Sequence, residues 1–138
     1  MRRALTGHEI ILYVRDLDAA RGFYRDLLGF PVTYESDWFL SFETGEQAWL
    51  SLNGRRDDYR QRGTQGRGVL VEFRVDDVDR TYRELRARGV PFESAPEDKP
   101  WGLRSCATRD PEGYPVWFST LIAEAPGSRG SAAGPGGG

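Results

Sequence analysis

Cysteine is almost missing from this chain: Cys106 stands alone among 138 residues, so no internal disulfide and no cysteine-built zinc site can form. Lysine is as scarce, with Lys99 the only one among 19 basic residues, and the arginine excess reads as compositional bias. Neither charge sign dominates. Twenty-one acidic residues leave a net charge of −2, whereas a nucleic-acid-binding domain ordinarily carries a marked basic excess. No apolar run approaches the ~20 residues of a membrane span. The start, Met1-Arg2-Arg3-Ala4-Leu5-Thr6-Gly7-His8, also lacks an apolar stretch long enough for a secretory signal. What is present, 38% hydrophobic, 12% aromatic and 29% charged residues, suits a soluble globular protein. The expected home is the reducing cytoplasm, with no nucleic-acid and no membrane partner.

The chain repeats itself. Val14-Arg15-Asp16-Leu17-Asp18 is echoed by Val75-Asp76-Asp77-Val78-Asp79, and Gly29-Phe30-Pro31-Val32 by Gly89-Val90-Pro91-Phe92, at offsets of 61 and 60 positions. Two markers in one order at nearly one offset indicate internal duplication. Two copies are too few for a solenoid and imply a pseudo-symmetric pair.

Each copy has the same local grammar. His8 to Val14 has strand composition; Asp16 or Asp18 can cap a helix whose apolar positions are Leu17, Ala20, Tyr24, Leu27 and Leu28, and Gly29 sits where a helix ends. Strands follow at Pro31 to Glu35, Trp38 to Phe42 and Ala48 to Leu52, with a turn at Thr44-Gly45. The second copy offers a strand from Val69 to Val75 and a helix with Asp79 as a cap and Val78, Tyr82 and Leu85 inward, ending at Gly89. Its outer face carries Asp79/Arg83, Arg80/Glu84 and Glu84/Arg88 pairs. Strands at Pro91 to Glu93, Leu103 to Thr108 and Tyr114 to Thr120 complete it, with Asp110-Pro111-Glu112-Gly113 as a turn. The expected class is α+β: two βαβββ modules in tandem, their mixed sheets curved around a cleft. Residues 1–54 form the first module, 55–67 a polar connection, 68–122 the second module, and 123–138 a glycine-rich tail that cannot bury enough surface to order itself.

The duplicated unit, Leu12-Tyr13-Val14-Arg15-Asp16-Leu17 leading into Phe23-Tyr24-Arg25-Asp26-Leu27-Leu28-Gly29-Phe30, and Pro100-Trp101-Gly102-Leu103-Arg104 with the later Asp-Pro-Glu-Gly turn resemble the vicinal oxygen chelate superfamily. That superfamily includes glyoxalase I, extradiol dioxygenases, fosfomycin-resistance enzymes and bleomycin-resistance proteins, and the resemblance covers residues 7–122. Its enzymes hold a divalent ion through inward His and Glu side chains. Aligned on that pattern, the ligand positions fall on Glu9, Ser51, Leu70 and Trp117, while His8 points to the opposite face from Glu9. That set leaves too few ligands, since a stable site wants about three or four. The resemblance therefore implies the bleomycin-resistance branch: no metal, no cofactor, no catalytic residue, and a homodimer with exchanged arms.

Alternation then gives the inward set. Tyr13 goes with Glu9; Trp49 and Asn53 go with Ser51; Glu72 goes with Leu70; Pro115 and Ser119 go with Trp117. Rings mixed with Glu, Ser and Asn suit a drug-sized, partly polar ligand. Trp38, Trp101, Arg104 and Tyr59 complete the candidate ligand-binding residues. Each has a plainer alternative: the tryptophans pack in a core or interface, Arg104 is a hydrogen-bond hub, Tyr59 is solvated, and Glu9 or Glu72 takes an internal ion pair. Sequestration of an aromatic antibiotic of bleomycin or enediyne type, without chemical change, is the expected function. The rival is a metal-dependent lyase, isomerase or dioxygenase.

Overall fold

The computed structural model describes residues 4–55 and 66–122. The element order is β1 (His8–Tyr13), α1 (Leu17–Arg21), a π-helical segment (Gly22–Leu27), β2 (Val32–Glu35), β3 (Phe39–Gly45), β4 (Ala48–Asn53), β5 (Val71–Arg74), α2 (Val78–Ala87), β6 (Phe92–Asp98), β7 (Leu103–Arg109) and β8 (Pro115–Leu121). Two four-stranded mixed sheets result: sheet 1 in the order β1-β4-β3-β2 and sheet 2 in the order β5-β8-β7-β6. In each, the first strand runs parallel to the last and the other pairings are antiparallel. This is the tandem βαβββ arrangement. No described helix is long and apolar enough to cross a membrane.

Strand alternation decides which side of each sheet is filled. In sheet 1, Leu12, Leu40, Phe42, Leu50 and Leu52 are buried with Ala20, Phe23, Tyr24 and Leu28 of the helical segment. In sheet 2, Val71, Cys106, Val116 and Phe118 are buried with Val78 and Leu85 of α2. Each fully buried Leu or Phe side chain stabilises by about 1.5–3 kcal/mol.

The helix starts are read correctly in kind, with one shift of position. Asp16 caps α1 by accepting the Ala19 N–H at 3.0 Å, and Asp77 caps α2 by accepting the Arg80 N–H at 3.2 Å. The expected caps Asp18 and Asp79 are instead paired with Arg21 and Arg104. Both sit inside the first turn, so their carboxylates project past the free amides and meet side chains. Gly29 and Gly89 end the helices with φ of 75° and 103°. After Arg21 the first helix widens: the Leu28 N–H reaches the Phe23 carbonyl at 2.9 Å, a five-residue step. The widened stretch includes Tyr24, fully buried, whose hydroxyl donates to Asp110 at 2.7 Å.

Two further boundaries and one set of ion pairs differ from expectation. The β3–β4 turn lies at Glu46-Gln47, with Gln47 at φ 56°, because Gly45 pairs directly with Ala48. Gly7 must be glycine there, since a Cβ would stand 2.3 Å from the Gln47 carbonyl oxygen. Strand β6 continues through Pro96 to Asp98; it is an edge strand, where a missing N–H breaks no ladder that matters. Of the outward pairs of α2, Arg80–Glu84 forms at 3.0 Å, while Asp79 has turned to Arg104.

Among the described residues, one structural unit comprises those up to Gly68 together with Asp110–Gly113; the other comprises Val69–Arg109 and those from Tyr114 to Ile122. The Asp-Pro-Glu-Gly turn thus belongs with the first unit. Buried Asp110 accepts the Glu112 and Gly113 N–H groups, each at 2.9 Å. Glu112 in turn accepts the Arg15 backbone N–H at 2.9 Å and its Nε at 2.8 Å. The tail from 123 onward and most of the connection lie outside the described residues.

Candidate ligand-binding faces

The side of sheet 1 opposite its helical layer carries Glu9, Tyr13, Trp49, Ser51 and Asn53. Register puts Glu9 beside Trp49, Ile11 beside Ser51 and Tyr13 beside Asn53. The Ser51 hydroxyl donates to Glu9 Oε2, and Ser51 and Ser41 oxygens lie 2.7 Å apart. Serine has one hydroxyl proton, and that of Ser51 is spent on Glu9, so Ser41 donates to Ser51. The result is a directed chain, Ser41 to Ser51 to Glu9, that holds one carboxylate oxygen and leaves Oε1 without a partner among the described residues.

Sheet 2 repeats the device. Ser119 donates to Glu72 Oε1 at 2.8 Å, Ser105 lies 2.8 Å from Ser119, and Glu72 stands beside Trp117 in register. The two chains are not at equivalent heights. The Val14 N–H meets the Asn53 carbonyl and the Val75 N–H meets the Ser119 carbonyl, which marks matching points. Counting back from these, Glu9 corresponds to Leu70 and Ser51 to Trp117, as the sequence alignment has it. The chain ending on Glu72 therefore sits two residues, about 6.5 Å, nearer its helix.

Ser41 and Ser105 are not among the residues that the sequence singles out. Each lies on a third strand of its module among largely apolar neighbours, and each is buried, a polar exception whose cost calls for a partner.

The other candidates lie elsewhere. Trp38 precedes β3 and is 42% exposed, with the Arg55 guanidinium 5.2 Å from its ring centre. Trp101 is in the β6–β7 turn, and its buried Nε1 has no hydrogen-bond partner among the described residues. Arg104 alternates to the helix side, where it donates to both Asp79 oxygens at 3.0 and 3.1 Å and to Asp98 at 3.0 Å. It is the hub joining α2 to β6. Glu72 takes Ser119, not Arg104. Tyr59 lies outside the described residues. Cavities of about 420 and 400 Å³ open at the two strand-to-helix turns, lined by the cap aspartates and their neighbours, and none of the candidate residues lines either.

Electrostatics separate the two faces. Lys99 bonds Glu97 and holds its ammonium 5.4 Å from the Trp117 ring centre. On sheet 1 no such cation covers Trp49 among the described residues. Burial pushes the Cys106 thiol up to about 11, so it stays protonated near neutral pH and is a packing residue.

A divalent ion of the kind held by His and Glu fits neither sheet taken by itself. The hydrogen-bonded cluster of each holds one carboxylate and two serine hydroxyls, with Glu43 of sheet 1 set apart across Trp49, against the three or four ligands such an ion takes. Among the described residues no group of three or more His, Cys, Asp or Glu side chains converges.

Similarity to known proteins agrees with this architecture. An uncharacterized protein of Bacillus subtilis, YraH, is 32% identical over 116 residues, covering 75% of this chain and 89% of its own. The lactoylglutathione lyase of Haemophilus influenzae is 31% identical over 121 residues, covering 78% and 87%. Among solved structures, a glyoxalase/bleomycin resistance protein/dioxygenase from Nocardioides superposes with a TM-score of 0.71 at 26% identity, covering 96% of this chain and 89% of that one. The family model for the Glyoxalase/Bleomycin resistance protein/Dioxygenase superfamily matches residues 7–118, and the chain belongs to that superfamily.

Proposed function

We propose that this protein binds and sequesters an aromatic natural-product antibiotic of bleomycin or enediyne type, leaving it chemically unchanged and using no metal. The observation that carries the reading is the recurrence, in both sheets, of a half-buried indole beside a carboxylate braced through one oxygen by two serines. An indole offers a flat face for offset stacking, worth about 0.5–1.5 kcal/mol beyond area burial. The braced carboxylate keeps an oxygen for a polar group of the ligand. The active form is a homodimer: Ile10 and Ile11 on edge strand β1, and Val69 and Leu70 leading into edge strand β5, are each more than a third exposed and offer apolar surface to a second copy.

The test is a tryptophan-fluorescence titration against bleomycin and a panel of enediyne and quinone antibiotics, with the bound compound recovered and weighed by mass spectrometry. Quenching with recovery of unaltered compound is the expected result. Trp49→Ala should weaken binding by about 1–3 kcal/mol while the chain still folds. Unchanged affinity in both Trp49→Ala and Trp117→Ala overturns the assignment.

A second reading, a metal-dependent lyase, is favoured by the similarity to lactoylglutathione lyases, including a structure from Agrobacterium tumefaciens at 30% identity and TM-score 0.62. Elemental analysis of protein purified without chelator separates the two. A stoichiometric transition metal together with lactoylglutathione turnover selects the lyase.

A further inference from the structure

We infer that the free face of sheet 1 selects flat organic cations, with Trp49 as the stacking plate and Glu9 and Glu43 as its charge determinants. The inference rests on the binding reading above and narrows its ligand class.

Register is the starting point. Trp49 has Glu9 directly beside it on β1 and Glu43 directly beside it on β3, so one indole lies between two carboxylates in a single row across the sheet. Directly opposed residues share a face and stand about 4.5–5.5 Å apart at Cβ. Both glutamates are exposed, and Trp49 is half-buried. Neither carboxylate forms an ion pair among the described residues. Glu9 has only the Ser51 hydroxyl, a neutral donor that fixes its position without cancelling its charge. The next row, Ile11, Ser51 and Ser41, adds no charge. Two uncompensated like charges flanking a ring cost stability through mutual repulsion, and a planar cation on the indole relieves that repulsion while meeting the negative π-face.

Sheet 2 provides the internal control. There the row is Glu72, Trp117 and Ala107, with one carboxylate where sheet 1 has two, and Lys99 already presents its ammonium to the ring. The Glu-Trp row of sheet 2, two residues nearer its helix than that of sheet 1, thus carries opposite electrostatics. A flat cation is repelled where Lys99 stands and drawn where Glu43 stands.

The experiment compares 9-aminoacridine, a planar cation at neutral pH, with 9-anthracenecarboxylate, a planar anion, by isothermal titration calorimetry against the full chain. The expected result is that the cation binds at least tenfold more tightly, that its affinity falls as salt rises, and that Trp49→Ala weakens it. Glu43→Gln should reduce cation affinity about fivefold, the size of one water-screened charge contact at about 4 Å, and leave anion affinity the same or higher. A thermal melt of each variant checks that the exposed substitution leaves the fold intact. Equal affinity of the Glu9→Gln/Glu43→Gln double variant for the cation overturns this inference while the binding reading stands. Binding of neither probe, or cation affinity indifferent to Trp49→Ala, likewise overturns this inference, whereas the binding reading falls only if affinity for the antibiotic is unchanged in both Trp49→Ala and Trp117→Ala.

Discussion

Sheet 1 and sheet 2 share strand order, register pattern and a serine-to-serine-to-glutamate chain, yet they differ in what surrounds the indole and in what anchors the unit. In the first, Trp49 lies between Glu9 and Glu43, the helix widens into a π-turn, and the Asp110 turn is locked to Tyr24. In the second, Lys99 covers Trp117, α2 is regular, and the surface hub Arg104 ties the helix to β6. Duplication constrains backbone pairing, because every buried N–H and C=O needs its partner. It leaves side chains on the face opposite the helices open to diverge, because no such pairing requirement binds them.

The anchoring difference predicts the largest effect. Asp110→Ala removes the acceptor of the Tyr24 hydroxyl and of the Glu112 N–H in a buried place, while the Gly113 N–H keeps the backbone carbonyl of residue 110, and should cost about 3 kcal/mol in chemical denaturation. Arg104→Ala breaks only half-exposed ion pairs and should cost less than about 1 kcal/mol. Equal losses would mean that the two units are held in the same way.

Charge can be transplanted. Lys99→Ala with Ala107→Glu gives Trp117 the surroundings of Trp49, and calorimetry should then detect binding of a second equivalent of 9-aminoacridine, with affinity raised on the order of tenfold at that face. No added equivalent would show that register and charge alone do not make the site.

The hydroxyl chains should be energetically alike. Ser41→Ala and Ser105→Ala each remove one buried hydrogen bond, worth about 1 kcal/mol by denaturant titration. A gap between them larger than that value would deny the equivalence.

The smallest effect concerns acid. The Arg104 guanidinium, chiefly through its hydrogen bond, holds the Asp79 carboxyl below the usual carboxylate range. The folded state therefore binds this proton less readily than the unfolded chain, so the contribution is present above about pH 4 and is lost as pH falls through the lower folded value. Melting midpoints of the parent and Asp79→Asn should differ slightly at pH 7 and converge on acidification.

Much of this was legible in one dimension. The paired Val-x-Asp and Gly-x-Pro markers gave two modules, and period-two alternation put Trp49, Ser51 and Asn53 on one side of their strand and Glu9 and Tyr13 on one side of theirs, while the family resemblance implied that both sides face inward. The helix class was harder. Leu17, Ala20, Tyr24 and Leu28 suit a regular helix, and the widened turn accompanies a bond from Tyr24 to Asp110, 86 positions away. The position of the β3–β4 turn depended on Gly45 pairing with Ala48, which local turn chemistry does not encode.

Composition and periodicity by themselves determined the duplicated βαβββ plan, the apolar side of each sheet and the polar character of the other. The tertiary structure decided which carboxylates flank which ring, which serines brace them and where Lys99 rests. Those are cross-strand relations: a shift of one residue in pairing would turn each side chain to the opposite face, so only the assembled ladder fixes them.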